Sequence, residues 1–312
     1  MNQKQSISYP MQFALLIGLM GVFIVVSGVL VAFLGSQLMH VPFSEVGKGI
    51  NKPENVNIAR FLNTLASVLV FMLPALILAR NLSKNAFSQL GFNSIIGIRQ
   101  IVPLLLIMVA GIMLSGALGD LNEKIPLPAA LYAKAKALED EYKTSMMAMA
   151  NMRTVMDYLL SLLVLAAAPA LFEEVLFRGG FQQVFIGWTK NKWAGIIITS
   201  VLFSAFHFSY FGFLPRLALG MILGLIFFYS KNIWLNIFLH FLNNAMVVTQ
   251  IYIATRMGKS LDKTMDENVP MWVGLIALVM LIIFFRIFKK ESEAIVLAKE
   301  KDIYSSPENM LS

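Results

Sequence analysis

The feature that most limits this chain is a succession of apolar runs, each long enough to cross a bilayer. A helix needs about 20 apolar residues to traverse the hydrocarbon core. Eight candidate runs lie at roughly 11–38, 60–80, 99–119, 154–177, 192–209, 213–230, 232–254 and 270–288. Backbone amides and carbonyls cannot stay unpaired in lipid, so each run must be helical. Only 14% of the 312 residues are charged, against about a quarter in an ordinary soluble domain. The expectation is an all-α, polytopic transmembrane bundle of about eight spans. One membrane domain covers residues 1–290, and a polar tail covers 291–312.

Residues 120–153 differ from the other connections. Pro126 and Pro128 precede a segment, Ala129 to Met152, of helix-forming composition but with too many charges to span. It reads as an amphipathic helix lying in the interface. Its methionines, Met146, Met147, Met149 and Met152, read as packing on neighbouring helices, in preference to an adaptable substrate-facing surface.

Charge placement bears on orientation and partners. The net charge is +7. The basic residues lie between apolar runs, where they suit anionic lipid headgroups rather than nucleic acid. Arg80, Lys84, Arg99, Lys190, Lys192, Lys231, Lys289 and Lys290 fall on the side of the N-terminus if all eight runs cross. The positive-inside rule then puts both termini in the cytoplasm. The first run is far longer than the apolar core of a cleaved signal, and reads as a retained anchor.

Polar groups at membrane depth are costly and mark function. Three clusters stand out, on the fourth, fifth and seventh runs. Glu173-Glu174 is followed by Arg178. Glu174 and Arg178 are i,i+4 neighbours able to pair, while Glu173 points about 100° away. Gly179 and Gly180 read as the end of that helix. Phe203-Ser-Ala-Phe-His207 lies in an aromatic run, and His240 and Asn244 share a helix face. A plainer reading exists for each: a charged helix end in the headgroup region, a hydrogen-bonded core histidine, or an interhelical hydrogen bond. Two of the three histidines accompany the paired carboxylates in one apolar block, which favours chemistry. A carboxylate and an imidazole can together deprotonate water. A second imidazole and an amide can donate to an oxyanion.

Other hydrolytic signatures are absent. No cysteine excludes thiol catalysis and thiolate metal sites. There is no His-Glu-x-x-His, Gly-x-Ser-x-Gly, Gly-x-Gly-Asp or phosphate-binding loop.

The three clusters resemble the motifs of the CAAX protease and bacteriocin-processing (CPBP, or Abi) family, which includes the Ras-converting CAAX endopeptidases. The family's Glu-Glu-x-x-x-Arg, Phe-x-x-x-His and His-x-x-x-Asn appear in order as Glu173-Glu174…Arg178, Phe203…His207 and His240…Asn244. The resemblance covers about residues 154–254. It implies an intramembrane endopeptidase in which Glu173 and His207 activate water, His240 and Asn244 stabilise the oxyanion, and Glu174 and Arg178 orient the site. Substrates implied are a CAAX-type lipidated C-terminus, a leader peptide or a membrane-anchored protein. The family also carries the label metalloprotease. Zinc would need Glu173, His207 and His240 as ligands. Asn244, a poor zinc ligand and a good donor, favours a mechanism without metal or other cofactor. Two non-proteolytic readings stand beside this one: a membrane immunity or scaffold protein, and a proton-coupled transporter. Against the transporter, no paired broken segments or internal repeats are found.

Overall fold

The computed structural model describes residues 7–93, 96–258 and 269–305. It is a helical bundle with no strand among the described residues. We number its principal helices α1 (Tyr9–Met39), α2 (Pro53–Leu82), α3 (Ile98–Glu123), α4 (Ala129–Met149), α5 (Val155–Thr189), α6 (Lys192–Ala205), α7 (Phe213–Ser230), α8 (Ile233–Arg256) and α9 (Met271–Ser305). Seven of them, all but α4 and α6, are long and apolar enough to cross a membrane. The chain is therefore an integral, multi-pass membrane protein.

The expected fifth span is a correction. α6 has 14 residues and stops at Ala205, giving about 21 Å at 1.5 Å per residue. That falls short of the roughly 30 Å hydrocarbon core. The chain then turns through Phe208, whose φ is 50°, and restarts at Phe213. The apolar run thus continues past the end of the helix, which hydropathy cannot reveal. Irregular backbone at such depth is tolerated only where protein or a wet cavity satisfies it. Here Asn122, in the last turn of α3, donates to the Tyr210 carbonyl at 2.9 Å and accepts from Leu214 N–H at 2.8 Å. Ser204 donates to the Phe213 carbonyl at 2.7 Å.

The expected end of the fourth span is also corrected. Gly179 and Gly180 do not terminate α5, which continues to Thr189. The segment Val175–Gln182 widens into a π-helix, as do Val68–Met72 of α2 and Leu163–Ala167 of α5, a distortion frequent at functional sites. The glycine at 179 permits close packing: a Cβ there would come within 2.8 Å of the Leu90 side chain and 3.2 Å of its carbonyl.

Two short reversals fix the order of the site-bearing helices. Lys190 closes α5 and Lys231 closes α7, each in the left-handed conformation. In each case the next residue, Asn191 or Asn232, caps the following helix by accepting backbone N–H groups. α5 and α6, and α7 and α8, therefore run antiparallel. One apolar core joins α1, α2, α5 and α6 through Leu16, Leu78, Phe177, Phe181 and Phe203. A second joins α3, α7, α8 and α9 through Leu104, Ile107, Leu223, Leu239 and Phe288. The α5–α8 block lies between them.

Of the 129–152 segment, Ala129–Met149 forms the helix α4. Met146, Met147 and Met152 pack with Val248 and Ile251 of α8, as the plainer reading anticipated. α9 runs without interruption through residue 305. Ser292, within the segment assigned to the tail, is buried and accepts from Gln100 at 2.9 Å.

Candidate active site

The polar clusters converge on one buried network. Glu174 and Arg178, one turn apart on α5, pair at 3.0 Å and are fully buried. The same carboxylate oxygen of Glu174 accepts from His240 Nδ1 at 2.9 Å. Its other oxygen accepts from Asn236 Nδ2 at 3.2 Å. Arg178 also donates to the Gly220 carbonyl at 3.0 Å. A buried ion pair survives when most of its remaining donors and acceptors are satisfied. Here α7 and α8 supply partners for both Glu174 oxygens and for one further Arg178 nitrogen, while Arg178 Nε is left without a hydrogen-bond partner.

Glu173, next in sequence, faces elsewhere. Its side chain is 13% exposed, and Oε2 lies 3.9 Å from His240 Nε2. That oxygen is sealed and has no hydrogen-bond partner. His240 is thus clamped at Nδ1 by Glu174 and turned so that Nε2 approaches Glu173. Glu174 holds one edge of the imidazole, and Glu173 stands 3.9 Å from the other without a hydrogen bond.

His207 lies just beyond the end of α6. Its Nδ1 is 2.8 Å from the Phe203 carbonyl. A carbonyl only accepts, so Nδ1 carries the proton and Nε2 of the neutral ring is the free lone pair. Glu173, Arg216 and His240 are the charged or titratable side chains close enough to act on it electrostatically. Phe203 forms the wall between the parts. Its ring centre lies 5.0 Å from His207, 5.9 Å from His240 and 5.0 Å from the Arg178 guanidinium.

Asn244 is one turn past His240 on α8 and half-buried. Its Oδ1 accepts from Asn243 Nδ2 at 3.3 Å. That leaves its own Nδ2 as a donor; Asn244 bonds none of the other site residues directly.

Sequence reading passed over Asn236. It extends the α8 stripe to Asn236, His240 and Asn244, at i, i+4 and i+8, and that spacing was a usable signal. Asn236 also donates to the Leu223 carbonyl at 2.6 Å. Glu139 was likewise missed. It reaches from α4 to take a hydrogen bond from Ser209 at 2.5 Å, two residues past His207. No periodicity within α4 could announce a partner 70 residues away.

Among the described residues, no group of three or more Asp, Glu or His is placed to hold a metal ion. Both imidazoles do have Nδ1 fixed by an oxygen acceptor, which is how ligand histidines are usually oriented. That same fixing also sets a base or a donor, so it does not distinguish the two uses.

Residues 155–246 match the family model described as type II CAAX prenyl endopeptidase, Rce1-like. The matched span begins with α5, includes α6 and α7, and ends within α8, two residues past Asn244. No curated protein and no solved structure matches the chain.

Proposed function

We propose that this protein is an intramembrane endopeptidase that hydrolyses a peptide bond with water activated by Glu173 and His207. The single observation carrying the reading is the sealed, partnerless Oε2 of Glu173, beside His240 Nε2 and within electrostatic reach of His207. A buried carboxylate oxygen without a donor costs stability unless something fills the gap. A water hydrogen-bonded to that oxygen would satisfy it and stand where a nucleophile is needed.

In this scheme the water oxygen attacks the scissile carbonyl carbon, and its proton passes to the Glu173 carboxylate. The free Nε2 of His207 accepts the water's second hydrogen bond and aligns the lone pair. The carbonyl oxygen becomes an oxyanion, held by Asn244 Nδ2 and His240 Nε2. The donor role of His240 requires a proton on Nε2, with Nδ1–H retained toward Glu174. Collapse of the tetrahedral adduct breaks the C–N bond, and the proton on Glu173 passes to the departing amine. Glu174, Arg178 and Asn236 touch neither water nor substrate; they hold the His240 ring. No step requires a metal.

The substrate proposed is a membrane-anchored peptide segment, with a lipidated CAAX-type C-terminus first among the choices suggested by the family match. Orientation is proposed with both termini cytoplasmic: α6, though too short for a full span, still returns the chain between the parallel α5 and α7, so the two termini end on one side. Lys190, Lys192, Lys231 and Lys289 lie at one end of the bundle, each 4.2 to 5.9 Å from an aromatic ring centre, an arrangement suited to an anionic leaflet. The deciding experiment compares membrane peptides from cells carrying the wild-type or the Glu173→Ala protein, and then cleavage of a farnesylated CAAX peptide by both purified proteins. Cleavage by wild type and none by the variant supports the reading. Equal cleavage by both removes the proposed base. A cellular phenotype that survives alanine at Glu173, His207, His240 and Asn244 together favours a scaffold.

A further inference from the structure

The network leaves one cation unused. Arg216 lies in the first turn of α7, the positive end of the helix dipole and a poor place for a cation without a purpose. Among the described residues its guanidinium makes no hydrogen bond and no ion pair. Of its three nitrogens, only Nη1 is sealed without a partner. The group rests on the Tyr142 ring of α4, 5.5 Å from its centre. On its other side it fits against Gly212, where a Cβ would come within 2.2 Å of Nη1. Gly212 N–H bonds Ser209 at 3.2 Å, and Ser209 bonds Glu139. The guanidinium is therefore cradled by ring, glycine and a fastened turn, with its remaining donors uncommitted.

Helix register places this cradle at the site. Arg178 of α5 donates to the Gly220 carbonyl of α7, and Gln182 donates to the Gly224 carbonyl at 2.9 Å. Both rungs join residues 42 apart, so the helices run parallel there, four residues at a time. One turn back along each brings Arg216 about level with Glu174. Its electrostatic reach to His207 agrees with that placement.

We propose that Arg216 is a specificity-determining residue that binds a carboxylate of the substrate. A planar guanidinium with free donors matches a carboxylate two-pronged. Partial burial against Tyr142 and Gly212 makes such a pair stronger than it would be in water. The inference rests on the peptidase reading for its substrate, though not for its binding chemistry. Two sources of the carboxylate are open to test: the peptide's own C-terminus and an acidic side chain in the released segment.

The test uses one farnesylated peptide in four forms: C-terminal acid or amide, each with Asp or Asn in the released segment. Cleavage by wild type, Arg216→Met and Arg216→Lys is followed in detergent. Binding of the same peptides to Glu173→Ala, alone and combined with Arg216→Met, is measured separately. The expected result is a preference of roughly tenfold or more for the acid, erased in Arg216→Met as the acid falls to the amide's rate. A preference for Asp, erased in the same way, assigns the side-chain source. Equal handling of all four peptides by wild type, or a preference that persists in Arg216→Met, overturns the proposal. If wild type cleaves nothing, the peptidase reading fails, and a carboxylate-dependent affinity lost with Arg216 still supports the subsite. No carboxylate dependence in either assay sinks it. Should Arg216→Met fail to fold, Arg216→Lys, which keeps the charge without the two-pronged geometry, is expected to weaken the preference severalfold; an unaltered preference counts against the proposal.

Discussion

His240 is held between two neighbouring carboxylates: Nδ1 lies 2.9 Å from Glu174 Oε1, and Nε2 lies 3.9 Å from Glu173 Oε2. The shorter contact is a formed hydrogen bond with a fully buried partner. The longer one is a gap beside an oxygen that has no donor. Adjacent residues on one helix thus take different tasks because their side chains diverge by about 100°. In the proposed mechanism Glu174 is structural and Glu173 reacts.

That division predicts opposite signatures for isosteric changes. Glu173→Gln should lower peptide hydrolysis by about 10²-fold or more, the scale of a lost general base, while leaving the melting temperature in detergent near wild type. Glu174→Gln should lower both, because Arg178 and His240 lose a charged partner. Melting curves and initial rates on the same preparations separate the two. A Glu173→Gln protein of undiminished rate would contradict the division.

Removing Arg178 should be more damaging to the fold than to any single chemical step. It is fully buried, tied to Glu174 at 3.0 Å and to the Gly220 carbonyl at 3.0 Å. Breaking a buried pair from one side typically costs about 3–5 kcal/mol, since the other charge is left alone. Arg178→Met is expected to unfold far below the wild-type temperature or to fail to accumulate in membranes. Pairing it with Glu174→Met should recover part of the loss, and a double-mutant cycle of melting temperatures measures how much.

Asn236→Leu tests positioning apart from catalysis. The amide donates to Glu174 and to the Leu223 carbonyl, and reaches neither the proposed water nor the substrate. Its loss should loosen the clamp on His240, lowering kcat by about tenfold with little change in KM. Asn236→Asp, which keeps the shape but brings a third carboxylate into the network, should be worse than leucine. A KM effect without a kcat effect would reassign Asn236 to substrate binding.

Much of this was legible before any coordinates. The helical bundle and the Glu174–Arg178 pair follow from apolar run length, i,i+4 spacing and the cost of ionisable groups in lipid, whereas the hydrogen bond between His240 and Glu174 does not, because it joins α5 to α8. The true end of α6 did not follow, because Phe206, Phe208 and Phe211 keep the apolar run going through a turn. Nor did the continuation of α5 through Gly179 and Gly180, since a glycine that ends a helix and one that admits Leu90 look alike in sequence. Arg216 and Glu139 remained hidden for a different reason. Each acquires meaning only from contacts with other helices, and no local spacing encodes those.

Chelation provides the remaining prediction. If Glu173 and His207 activate water without a metal, activity should survive exhaustive treatment with a zinc chelator and dialysis, and added zinc should not raise it. Inhibition by excess zinc is compatible with this scheme, since zinc taken up by any one of these side chains would displace the water. The discriminating comparison is therefore between chelated enzyme and chelated enzyme restored with stoichiometric zinc. Activity lost on chelation and recovered at one zinc per protein would make Glu173, His207 and His240 ligands. Asn244→Asp sharpens the result. In the metal-free scheme it exchanges an oxyanion donor for a negative charge and should abolish turnover, whereas at a zinc centre a carboxylate offers one more ligand and should preserve metal binding.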